Sequence, residues 1–90
     1  MNMDINKMWA KVTGVADGDA FTEDLEFTLI PPDESKSYYG TGYYMRVKTP
    51  YEVKLIDVRY ERITDIEILA DRWMKNWYGD NAKDISKRFK

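Results

Sequence analysis

The segment Thr64-Asp65-Ile66-Glu67-Ile68-Leu69-Ala70-Asp71-Arg72-Trp73-Met74-Lys75-Asn76-Trp77-Tyr78 decides the fold. Ile66, Leu69, Ala70, Trp73 and Trp77 recur at the spacing that lines one stripe of an α-helix, so the segment reads as amphipathic, with two tryptophans on its apolar face. Thr64 followed by Glu67 matches a capping box, and Gly79 stands where a left-handed residue would stop the helix. Glu67, Asp71 and Lys75 fall on the wet side.

Upstream of that helix the period changes from helical to alternating. Met8, Ala10 and Val12 alternate with Trp9, Lys11 and Thr13, giving a first strand over Lys7 to Val15. Ala16-Asp17-Gly18-Asp19 is a hairpin signal, because Asp-Gly tolerates positive φ. Leu25, Phe27 and Leu29 mark a second strand, which Pro31-Pro32 ends for want of donors. Tyr43, Met45 and Val47 alternate with Tyr44, Arg46 and Lys48 in a third strand. Thr49-Pro50 turns the chain into a fourth over Tyr51 to Tyr60. Two apolar sets in that strand, Tyr51/Val53/Leu55 and Ile56/Val58/Tyr60, lie on opposite faces, which predicts a bulge near Ile56-Asp57 or burial on both sides. After Gly79, the spacing of Ala82, Ile85 and Phe89 predicts a short C-terminal helix starting at Asp80. The expectation is a single α+β domain over residues 1–90. It has a four-stranded, mainly antiparallel sheet, with the long helix across one face and a short C-terminal helix. Leu25, Phe27, Leu29, Ile66, Leu69, Ala70, Trp73 and Trp77 are its expected core.

Composition narrows the chemistry more than it names a function. Aromatic residues at 14% and apolar residues at 43% are too many for a disordered chain. There is no Cys and no His, which removes the common nucleophile–base pairs and most zinc, copper and iron sites. Hard oxygen ligands occur in Asp17-Gly18-Asp19 with Glu23 and Asp24. The glycine comes too early for a calcium loop, though, and Ala20-Phe21 take ligand positions. Gly40-Thr41-Gly42 lacks the following helix and lysine of a phosphate loop. The expectation is a non-enzyme with no metal and no cofactor. No apolar run is long enough for a bilayer and no basic-then-apolar leader opens the chain, so a cytoplasmic location without membrane contact is expected.

Charge is distributed unevenly. Residues 1–42 carry three Lys against eight acids, and residues 43–90 carry eleven Lys or Arg against eight acids. Two candidate contact surfaces follow. One is acidic: Asp17, Asp19, Glu23, Asp24 and Glu26, which could meet a basic groove by charge complementarity or simply form a solvated hairpin. The other is aromatic and basic: Trp9, Tyr38, Tyr39, Tyr44, Arg46 and Lys48, a mixture on which bases stack while cations meet phosphates. Its ordinary alternative is core packing plus a covered sheet edge, and the net charge of −2 argues against strong non-specific nucleic-acid affinity.

A short chain of this kind, rich in Tyr and Trp and ending in Asp71-Arg72-Trp73-Met74-Lys75-Asn76-Trp77-Tyr78-Gly79, resembles the small accessory proteins of bacteriophages. These include inhibitors of host defences, anti-CRISPR proteins among them. The resemblance covers general character and assigns no residue. It implies a non-catalytic inhibitor, working in the cytoplasm of a host cell, that binds a protein partner such as the basic groove of a nucleic-acid enzyme. The runner-up is a small single-stranded nucleic-acid-binding protein that uses the aromatic and basic strand.

Overall fold

The computed structural model describes residues 6–32, 42–59, 61–62 and 64–89. In chain order the elements are β1 (Lys7–Ala16), β2 (Asp19–Ile30), β3 (Tyr43–Lys48), β4 (Val53–Val58), α1 (Ile66–Tyr78), a 3-10 turn (Gly79–Asn81) and β5 (Ala82–Arg88). The five strands form one sheet in the order β4-β3-β2-β1-β5, antiparallel at every pairing. The fold class is therefore α+β, with five strands and one α-helix among the described residues where four strands and two helices were expected.

Local chemistry sets the turns. Asp17 and Gly18 have φ of 52° and 84°, the two consecutive positive values of a two-residue hairpin whose twist matches its strands. In the β3–β4 turn the Thr49 hydroxyl accepts from the N–H groups of Tyr51 (3.1 Å) and Glu52 (3.0 Å). The backbone N–H of Thr49 donates to the Glu52 carbonyl at 2.8 Å, closing the loop. The β3–β4 register runs unbroken from Lys48↔Val53 to Tyr43↔Val58, so the expected bulge near Ile56 does not occur. The two apolar sets of β4 divide instead. Ile56 and Val58 pack toward the core, while Val53 and Leu55 stand out on the opposite face, 59% and 61% exposed.

The helix begins one residue later than the capping-box pattern suggests. Asp65, and not Thr64, is the N-cap, and its carboxylate accepts from the N–H groups of Glu67 (2.9 Å) and Ile68 (3.3 Å). An Asp at this position is at least as good a cap as Thr, and its negative charge also suits the positive end of the helix dipole. Replacing Asp65 with Ala should lower stability by about 1 kcal/mol in denaturant titration. A Thr64→Ala variant should be near neutral, so equal losses would contradict the observed cap. At the other end Gly79 takes φ 58°, and its N–H donates to the Lys75 carbonyl.

The helix is also rotated slightly from its expected phase. Ile66, Leu69, Ala70, Met74 and Tyr78 are buried, Trp73 is half-buried, and Trp77 is 52% exposed. Trp77 stacks on Trp73 with ring centroids 5.3 Å apart and carries the Lys54 ammonium 4.6 Å over its ring. It thus seals the rim of the core. Asp71 and Lys75 are exposed as expected, while Glu67 is half-buried.

The expected terminal helix is strand β5. Ala82 pairs with Gly14, and Ile85 pairs with Val12, with a register shift between Thr13 and Gly14. The extra residue of that bulge puts Ala82 and Ile85 on the same side despite their odd spacing. Phe89, four residues beyond Ile85, packs on the same core. A bulged strand therefore satisfies the spacing that reads as a helix.

Strand alternation sorts the sheet into two faces. Met8, Ala10, Val12, Leu25, Phe27, Leu29, Met45 and Val47 are buried beneath α1 on one of them. The chain leaves edge strand β4, crosses this face as α1 and returns as the opposite edge, β5. Two polar anchors fix the crossover. The Tyr78 hydroxyl donates to Glu23 at 2.6 Å while its ring stacks on Phe21; burial and this contact push the Tyr78 phenol above its ordinary pKa. Lys87 bridges Glu67 (2.7 Å) and Asp71 (3.2 Å), and the Glu67 hydrogen bond leads in raising its pKa.

Candidate functional site

The second face of the sheet has no helix over it among the described residues. Its side chains lie in cross-strand rows set by the register. One row runs Arg88, Trp9, Glu26, Lys48, Val53; the next runs Lys7, Thr28, Arg46, Leu55; a third runs Ile30, Tyr44, Asp57. On the other side of the Trp9 row, Ser86, Lys11 and Asp24 are neighbours. Alternation on three separate strands thus collects Lys7, Lys11, Arg46, Lys48 and Arg88 around two aromatic rings. Trp9 and Tyr44 stand two strands apart and four residues out of step, about 16 Å between backbone positions.

Cations dress both rings. The Arg88 guanidinium lies 4.6 Å over the Trp9 ring and the Lys7 ammonium lies 5.7 Å from it. Arg59 lies 5.2 Å over Tyr44 and holds Asp57 with two hydrogen bonds, of 2.9 and 2.7 Å. That contact keeps the Asp57 carboxyl below the ordinary value for an aspartate. Lys7, 2.9 Å from Glu26, likewise lowers the Glu26 carboxyl against partial desolvation, with Lys48 and Arg46 adding to the pull. Among the described residues Lys11, Arg46, Lys48 and Arg88 have no carboxylate within 4 Å. Between them, the Thr28 hydroxyl oxygen is buried with no hydrogen-bond partner among those residues.

Of the aromatic and basic residues singled out from sequence, Trp9, Tyr44, Arg46 and Lys48 come together here. Tyr38 and Tyr39 lie outside the described residues. The acidic set does not come together. Asp17 and Asp19 are exposed at the hairpin tip, and Glu23 points to the helix side and holds Tyr78. Asp24 and Glu26 lie on the open face among the cations. Lys7, Lys11, Ser86, Arg59 and Arg88 are further members of this surface that the sequence pattern does not point to. Reading β5 as a helix hid two of them, although Asp84, Ser86 and Arg88 alternate against Ile85 and Lys87 as strand residues do.

No protein-family model matches this chain, and no curated protein or solved structure shows a significant match to it. Among the described residues no group of three or more carboxylates is placed to hold a metal ion. Among the described residues no helix is long and apolar enough to cross a membrane.

Proposed function

We propose that this protein is a non-catalytic binding module whose open sheet face engages single-stranded nucleic acid. One observation carries the reading: the register brings Trp9 and Tyr44 onto one side of the sheet together with Lys7, Lys11, Arg46, Lys48 and Arg88. Aromatic platforms supply sequence-tolerant stacking, and the lysines and arginines supply phosphate contacts. The net acidity of the chain opposes this less than its total suggests. Asp17, at the hairpin tip, is eight residues along β1 from Trp9, roughly 26 Å in an extended strand and well beyond the screening length at physiological salt.

The inhibitor reading, in which an acidic row imitates phosphates to a basic groove, needs Asp17, Asp19, Glu23, Asp24 and Glu26 on one surface. Their division between the hairpin tip and two faces removes its main support, so the nucleic-acid reading ranks above it.

The test is fluorescence anisotropy of short dye-labelled single-stranded oligonucleotides over a range of salt. Binding should weaken as salt rises, because phosphate contacts release counterions. Trp9→Ala should weaken it by roughly 1–3 kcal/mol, the contribution of one stacking platform. Arg46→Ala should reduce the steepness of the salt dependence. An absence of binding at low salt sinks the proposal, as does binding that ignores all three side chains Trp9, Tyr44 and Arg46.

A further inference from the structure

We propose that the groove beside Trp9 is a guanine-reading subsite, an inference that rests on the nucleic-acid reading of the open face. Trp9, Lys11, Asp24, Ser86 and Arg88 line a groove of about 420 Å³, within the range of small-ligand sites. The Trp9 ring with the Arg88 guanidinium 4.6 Å over it makes a flat wall on which a base can stack. Lys11 and Arg88 supply positive charge for the attached phosphate.

Asp24 supplies the discrimination. It is exposed and stands directly opposite Lys11 in the register. It forms no ion pair or hydrogen bond with any described residue, so its oxygens are open. An ionised carboxylate only accepts hydrogen bonds. Guanine is the one common base whose pairing edge offers two adjacent donors, N1–H and the N2 amino group. Adenine and cytosine place an acceptor next to their donor, and thymine flanks its single donor with acceptors. A carboxylate at this position therefore takes guanine in a two-point contact and meets lone pairs on the other three. Guanine O6 is then left for a donor, which the Ser86 hydroxyl or the Lys11 ammonium can be.

The experiment uses the full chain and short oligothymidylates carrying a single central dG, dA or dC, with plain oligothymidylate as reference. Affinity is read from tryptophan fluorescence at low salt. The dG oligonucleotide should bind about tenfold tighter than the others, the usual discrimination of one two-point base contact. Asp24→Asn should abolish that preference and shift it toward dA and dC, since a carboxamide presents one donor and one acceptor. Asp24 bonds to nothing in the fold, so circular dichroism of this variant should be unchanged. Equal, salt-dependent binding of all four oligonucleotides overturns the guanine subsite and leaves the open-face reading standing. A dG preference that survives Asp24→Asn also overturns the assignment. Failure of every oligonucleotide to bind overturns both.

Discussion

Truncating Phe27 to Ala should cost roughly 3–5 kcal/mol in denaturant titration, the range for a deleted core aromatic. Phe27 is fully buried in β2, the central strand of the five among the described residues. Its cross-strand neighbours are Met8 and Val47, both fully buried, so neither can swing in from solvent to fill the space. Above it Trp73 packs edge-on at a centroid distance of 5.8 Å, a contact that adds to simple area burial. The loss thus joins removal of apolar surface, a cavity and an aromatic pair in one position. A domain of this length has a total stability of about 5–13 kcal/mol, so the variant should approach unfolding in mild denaturant. It should also shift the emission of Trp73, which loses its wall, to the red, while the open-face Trp9 is only indirectly affected. A Trp73→Phe background separates these emissions. A loss under 1 kcal/mol would mean that α1 does not pack on β2 at Phe27.

Most of the sheet and its helix could be read from sequence because burial imposes a period. The alternation Leu25/Phe27/Leu29 and Tyr43/Met45/Val47 has only one reading once one face is dry, and the Asp17-Gly18 turn has one geometry. Phase and class were harder where two solutions satisfy the same spacing. Trp73/Met74 and Trp77/Tyr78 are adjacent pairs at the same helical interval. Which member goes inward is decided by partners far along the chain, here Glu23 and Phe21 for Tyr78, and Lys54 over Trp77. Ala82, Ile85 and Phe89 fit a helix or a bulged strand. The free edge of β1 favours the strand, since a short terminal helix would leave that edge unpaired. The candidate site follows the same division. Tyr44, Arg46 and Lys48 could be grouped because they alternate on one strand. Arg88 joins Trp9 only through the register of two strands more than seventy residues apart in sequence.

Gly14→Ala should be the other severe variant, at about 3 kcal/mol, the upper end of what overpacking costs. Gly14 lies in β1 at the point where the β5 register shifts, and its backbone is not in the left-handed region. Conformational freedom is therefore not what the position requires, and Ala would have the better strand propensity in open space. The obstacle is contact. A Cβ here would run into the backbone carbonyl of Asn81, and would lie 2.9 Å from the Phe21 ring. Asn81 ends the 3-10 turn that joins α1 to β5, and Phe21 stacks on Tyr78 at the end of the helix. Neither can retreat alone: moving the carbonyl drags the start of β5, and moving Phe21 breaks the stack that seats Tyr78. Gly18→Ala is the control. Nothing lies within 4 Å of a Cβ at Gly18, but its φ of 84° penalises any side chain, so its loss should be the smaller, about 1 kcal/mol. If Gly18→Ala proves the more damaging of the two, the close approach of β1 to Asn81 is not a constraint on the fold. If Gly14→Ala is the worse, the helix, the 3-10 turn and β5 are locked to β1 at that one residue.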